Sequence, residues 1–118
     1  PFASGAFATA TSLNLLDRVP VPRRHLGELN RTVRAADATL LVADPWSWTE
    51  SPAFASAWIG GRATGPTAGR SLVNLERLLA GELSPPWHIA ATGRIDWTLR
   101  NHRNHFELIR SDYLLARR

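Results

Sequence analysis

The sequence predicts an α+β fold: an antiparallel β-sheet made of hairpins and flanked by a few helices. Three observations carry this. After "ELSPPW", apolar and polar residues alternate on both sides of "NHRN", as they would along the arms of a long hairpin. Upstream, "LNRTVRAADATLLVADPW" offers a second pair of strands around Ala36-Asp37, the first of them alternating. Between them, "GRSLVNLERLLAG" places Leu72, Leu75, Leu78 and Leu79 on one helical face.

With 118 residues, of which 44% are hydrophobic and 20% charged, the chain is predicted to be one domain with a real core. Residues 1–25 form an N-terminal arm with a short helix, and residues 26–118 form the sheet and its helices. The arm opens with small and polar residues. "TSLNLLDR" then provides a Thr or Ser cap before Leu13, Leu15 and Leu16, which suits a short helix or a turn. Pro20 and Pro22 end it, since each fixes its own φ and pushes its predecessor out of the α region.

In the first hairpin, Leu29, Arg31 and Val33 alternate with Asn30, Thr32 and Arg34, and the return strand "TLLVADPW" stops at Pro45. A helix over residues 23–36 is the alternative reading. The stretch from "SWTESPAF" to "GGRATGPTAGR" reads as a loop or lid carrying Trp48, Phe54 and Trp58, with a short helix around "AFASAWI". The helix that follows has Gly81 as its C-terminal stop, and Arg70 with free backbone N–H groups at its start makes a ready anion site. No Gly-Lys-Ser/Thr ending makes that loop a Walker motif. In the last hairpin, His102 and Arg103 at the tip set Leu99 against Phe106, Trp97 against Leu108, Ile95 against Arg110 and Gly93 against Asp112. The register leaves a notch beside Asp112.

All 14 positive charges are Arg, and Lys, Gln, Met and Cys are absent. A net charge of +4 permits an anionic ligand, and Arg is a fixed charge whose planar fork suits carboxylates and phosphates. Without Cys there is no disulfide framework, thiolate metal site or Cys nucleophile, so the cytoplasm is the expected compartment. "PFASGAFATA" lacks the basic region and long apolar run of a signal peptide, and no segment has the length to span a bilayer. Pro1 reads equally as a start from which Met was trimmed or as a processed end.

His88, His102 and His105 lack the spacing and the carboxylate partner of a metal site, so no metal is predicted. Neither a Ser-His-Asp arrangement nor a Gly-x-Ser-x-Gly elbow appears. What remains is charge on apolar faces. Arg31, Arg110 and Asp112 form either an internal salt-bridge cluster or a pocket that receives a small anion.

The order of these features, from "LNRTVRAADATLLVADPW" through "GPTAGRSL" to "GRIDWTLRNHRNHFELIRSDYLLA", resembles the chorismate lyase family and its effector-binding relatives, the UTRA domains. The resemblance implies an antiparallel sheet over which loops enclose an aromatic acid. It assigns the carboxylate-binding Arg to Arg31, or to Arg34 if the register slips. It gives Ala68, Gly69 and Arg70 the role of the family's Pro-Leu-Gly-Arg stretch, and it places the family's catalytic Glu at Asp112. Asp for Glu, Ala68 for Leu and a short N-terminal portion depart from the pattern.

The function so implied is a lyase that needs no cofactor and converts chorismate to 4-hydroxybenzoate and pyruvate. Asp112 and Arg31 are its catalytic residues, and Arg31, Arg34, Ala68, Gly69, Arg70 and Arg110 bind a small anionic aromatic or cyclic acid. A non-catalytic small-acid sensor or assembly subunit of the same fold is the second reading. An Arg-driven nucleic-acid binder, with five Trp as stacking surfaces, is the third. No membrane partner is expected, and the sequence leaves the oligomeric state open.

Overall fold

The computed structural model describes residues 2–48 and 55–118. The chain runs β1 (Thr9–Leu13), α1 (Pro22–Thr32), β2 (Thr39–Asp44), α2 (Ser71–Arg77), a π-helical turn (Leu78–Glu82), β3 (His88–His102) and β4 (His105–Arg117). The strands lie in the order β1-β2-β4-β3. β1 is parallel to β2, whereas β4 is antiparallel to both of its neighbours. The protein is thus α+β as predicted, but its sheet is mixed.

The predicted first hairpin does not form. Residues 22–32 are a helix, as the alternative reading had it, with Pro22 in its first turn, where a missing N–H costs nothing. Pro22, Leu26 and Asn30 make its buried stripe. The cause is non-local. "TATSL", inside the predicted arm, is a strand that pairs parallel with β2, and parallel neighbours require a crossover connection. After β1, residues 16–18 form a turn rather than a helix, closed by Arg18 N–H on the Leu15 carbonyl at 3.0 Å.

The last hairpin forms, one residue out of the predicted register. Arg103 and Asn104 make a tight turn and a bulge between Arg100 and His102 absorbs one residue, so Arg94 faces Asp112 and Asp96 faces Arg110. Gly93 faces Tyr113. The predicted notch is filled by the tyrosine ring, since a Cβ on Gly93 would lie 2.6 Å from Tyr113 Cε1. Predicted as a stop, Gly81 lies inside the π-helical turn, and the chain leaves the helix only at Leu83. Of the expected "AFASAWI" helix, Ala53 and Phe54 lie outside the described residues; a turn at Ala55 is closed by Trp58 N–H on the Ala55 carbonyl.

Leu40 and Val42 of β2 and Leu114 and Ala116 of β4 share one face of the sheet and enter a single core with Leu26, Leu72, Leu75, Leu78, Leu79 and Trp87. Both helices contribute to that core. The other face carries Leu13, Leu41, Ala43, Ile95, Trp97, Tyr113 and Leu115, all of them partly or largely exposed.

Candidate functional site

In open sheets containing parallel strands, ligands bind outside the carboxyl ends of those strands. Here those ends are Leu13 and Asp44. The chain leaves β1 through Asn14, which is left-handed at φ 51° and donates its backbone N–H to the Ala43 carbonyl at 2.7 Å. Asn tolerates that conformation better than most residues.

Asp44 is fully buried and acts as a clasp. Its Oδ2 accepts from the N–H groups of Leu16 (2.8 Å) and Asp17 (3.3 Å), and its Oδ1 from that of Trp46 (3.0 Å). Asp17 in turn accepts from Ser47 N–H at 2.6 Å and meets Arg18 Nε at 3.4 Å. The two acids therefore bind the loop after β1 to the loop after β2. Burial first, and then the Asp17 charge, pushes the Asp44 carboxyl up to about 6 against the pull of its backbone donors.

On the open face of the sheet, β3 and β4 run on past the end of β2 and wall in a cavity of about 200 Å³ lined by Leu13, Asn14, Ala43, Ile95, Trp97 and Ser111. Its walls are mainly apolar. Its polar groups form a relay, with Trp97 Nε1 to Ser111 Oγ at 3.0 Å and Ser111 Oγ to Asn14 Oδ1 at 3.2 Å. Ser111 is buried, so its hydroxyl is held by these contacts.

On the helix-covered face, Asp112 stands opposite Asp44. It accepts from Trp46 Nε1 at 3.2 Å and from Arg94 Nε at 3.2 Å, and Arg70 Nη2 approaches to 3.7 Å. Trp46, Trp48 and Trp58 continue outward, the last two stacked with ring centres 5.7 Å apart, and Trp48 Nε1 donates to Ser71 Oγ at 3.1 Å. Asp112 thus faces inward as the partner of two arginines and a tryptophan.

Of the residues singled out from sequence, the fold brings Arg70 and Asp112 together and separates the others. Arg31 lies near the end of α1, where it pairs with Glu28 at 2.9 Å, donates to the Phe2 carbonyl and borders a cavity of about 330 Å³ beside β1. Its guanidinium holds the Glu28 carboxyl below the usual carboxylate range. Arg34 is exposed, and its carbonyl accepts from Arg118 Nε at 2.7 Å. Gly69, at φ 87°, spends its N–H on the Arg62 carbonyl, so that backbone donor is not free for a ligand. Ala68 gives its carbonyl to Asn74 Nδ2 at 3.1 Å. Arg110 pairs with Asp96 at 2.8 Å on the exposed ribbon. The anion site expected from Arg31, Gly69 and Asp112 is therefore not assembled. Sequence reasoning missed Asn14, Asp17, Asp44, Trp97 and Ser111; the available signal was an Asp at the end of a strand, directly before Pro45.

No family profile matches this chain, and no curated protein matches it. A crystal structure of a SAM-dependent methyltransferase from Methanosarcina mazei does, with a TM-score of 0.60 and 16% identity over 98% of this chain and 60% of that one. The likeness is one of fold. The chain spans 60% of that methyltransferase's length. This corrects the resemblance to chorismate lyases and UTRA domains, and with it the chorismate reaction and the sensor of that fold. No helix among the described residues is long and apolar enough to cross a membrane.

Proposed function

We propose that residues 1–118 form the acceptor-facing portion of a SAM-dependent methyltransferase. The observation that carries the proposal is the strand order β1-β2-β4-β3, with β4 antiparallel between two strands that run parallel to each other, in a chain similar to such an enzyme over 98% of its length. The cavity at the carboxyl ends of β1 and β2 is where this class of sheet presents ligands. Methyl transfer from a sulfonium needs an acceptor held in line and shielded from bulk water, and an apolar cleft with one fixed polar relay suits that task.

The cofactor itself does not fit the described residues. Neither the loop at residues 14–21 nor that at residues 45–48 contains a glycine that would let backbone approach a nucleoside ligand, and the acids there, Asp17 and Asp44, are spent on backbone N–H groups. β1 is also an edge strand, whereas such ligands lie where the strand order reverses. In this reading a cofactor-holding segment adds to the open edge of β1, beside the cavity between Phe7 and His25. Calorimetric titration with S-adenosylhomocysteine tests it. No saturable binding is expected for the 118 residues alone, and saturable binding is expected for a polypeptide that joins them to such a segment. Saturation of the 118 residues alone would overturn this division, and silence from the joined polypeptide would overturn the methyltransferase reading.

A further inference from the structure

We infer that the cleft between Asn14 and Trp97 takes an uncharged planar ring whose hydrogen-bond acceptor meets the side-chain amide nitrogen of Asn14. The direction of the relay carries the argument. An indole N–H donates and cannot accept, so Trp97 Nε1 must give its proton to Ser111 Oγ. With that lone pair used, the Ser111 hydroxyl spends its own proton on Asn14 Oδ1, 3.2 Å away. The oxygen of the Asn14 amide is thereby engaged, and its NH₂ group, on an exposed side chain that lines the cleft, has no protein partner among the described residues and is open to a ligand. The left-handed backbone at Asn14, pinned by its N–H to the Ala43 carbonyl, fixes where that donor stands.

The walls set the rest of the ligand's chemistry. Leu13, Ala43, Ile95 and the Trp97 ring offer apolar surface, and no residue that lines the cleft carries a charge. A ligand carboxylate would find no cation among these lining residues and would set its charge against apolar side chains, so a neutral ring is selected over its anion. The volume of about 200 Å³ suits a single small ring system rather than a larger ligand. This is the opposite preference from the anion site expected on the other side of the sheet, where Arg70 and Arg94 are already occupied by Asp112. The inference names the acceptor class for the site proposed above and rests on that reading for its role, although binding needs no cofactor.

The test is a titration of the 118-residue protein, followed by the Trp97 indole N–H signal in ¹H–¹⁵N spectra, with benzamide, benzoate and toluene as probes. The signal is assigned by its loss in Trp97→Phe. Benzamide should move it saturably, toluene should bind more weakly for want of an acceptor, and benzoate should bind least. Asn14→Asp keeps the left-handed backbone and replaces the donor with a charged acceptor; it should weaken benzamide by about tenfold, as the loss of one hydrogen bond implies, and leave toluene nearly unchanged. Equal binding of benzoate and benzamide, or benzamide binding that ignores Asn14→Asp, would overturn the inference, as would a Trp97 signal that no probe moves while the spectrum stays folded. If benzamide binds as expected and the joined polypeptide fails with S-adenosylhomocysteine, the cleft stands and the methyltransferase reading falls.

Discussion

Asp44 ties stability to pH in a direction opposite to that of most carboxylates. Its side chain is fully buried and its carboxyl is raised from 3.8 to about 6, chiefly by burial. A carboxyl raised on folding binds protons more tightly in the native state, so its contribution is fully present below the unfolded value and is lost as pH rises through about 6. At about 1.4 kcal/mol per pH unit of separation, the native state loses about 2–3 kcal/mol from this group between pH 4 and pH 7.5. Asp44→Asn removes the titration. The amide keeps one acceptor oxygen where the two oxygens of the carboxyl group accept from three backbone N–H groups, so it also adds a pH-independent loss of about 1–3 kcal/mol. The variant should therefore be clearly weaker than the parent at pH 4, and the gap should narrow by about 2–3 kcal/mol by pH 7.5. Urea unfolding followed by tryptophan fluorescence measures both proteins with the same extrapolation. Parallel stability curves for parent and variant across that range would refute the assignment of a raised carboxyl to Asp44.

Three further outcomes follow from the packing. Arg118 donates to Asn30 Oδ1 and to the carbonyls of Asn30, Val33, Arg34 and Pro85, and it lies 4.1 Å from the centre of the Trp87 ring. Arg118→Ala should cost about 2–3 kcal/mol and lower the melting temperature by about 10 °C, read by calorimetry. A Cβ on Gly60 would lie within 2.5 Å of Ser71 Oγ and strike the Ser71 backbone, so Gly60→Ala should destabilise by about 1–3 kcal/mol and release the Trp48 indole from Ser71, visible as a shift of its N–H signal. Arg110→Ala breaks only the solvent-exposed pair with Asp96, and the urea midpoint should not move at any salt concentration.

How far the sequence spoke for the fold depended on whether the relevant signal was local. β2 was legible because "TLLVAD" is a short apolar run that ends at a proline, and α2 because its leucines repeat at helical spacing. β1 was not, since "TATSL" is short and holds three hydroxyl side chains. With β1 unseen, Leu29, Arg31 and Val33 fitted a strand as well as a helix, and a hairpin was the nearest partner for β2. The site followed the same division. Arg70 and Asp112 were noticed separately and meet in space, but Asn14 and Ser111, 97 positions apart, gave no sign that they share a hydrogen bond.

The sequence by itself determined that this is an α+β chain with a long C-terminal hairpin, an amphipathic helix rich in leucine, and an acid, Asp112, on the inward side of its last strand. Only the tertiary structure decided that β1 lies parallel beside β2, that one bulged residue sets Arg94 rather than Gly93 against Asp112, and that the strand ends assemble Asn14, Ser111 and Trp97 into a cleft. The physical reason is that alternation and helical spacing record which face of an element is apolar. They carry no record of the partner strand, and a shift of one residue in pairing exchanges every neighbour across it.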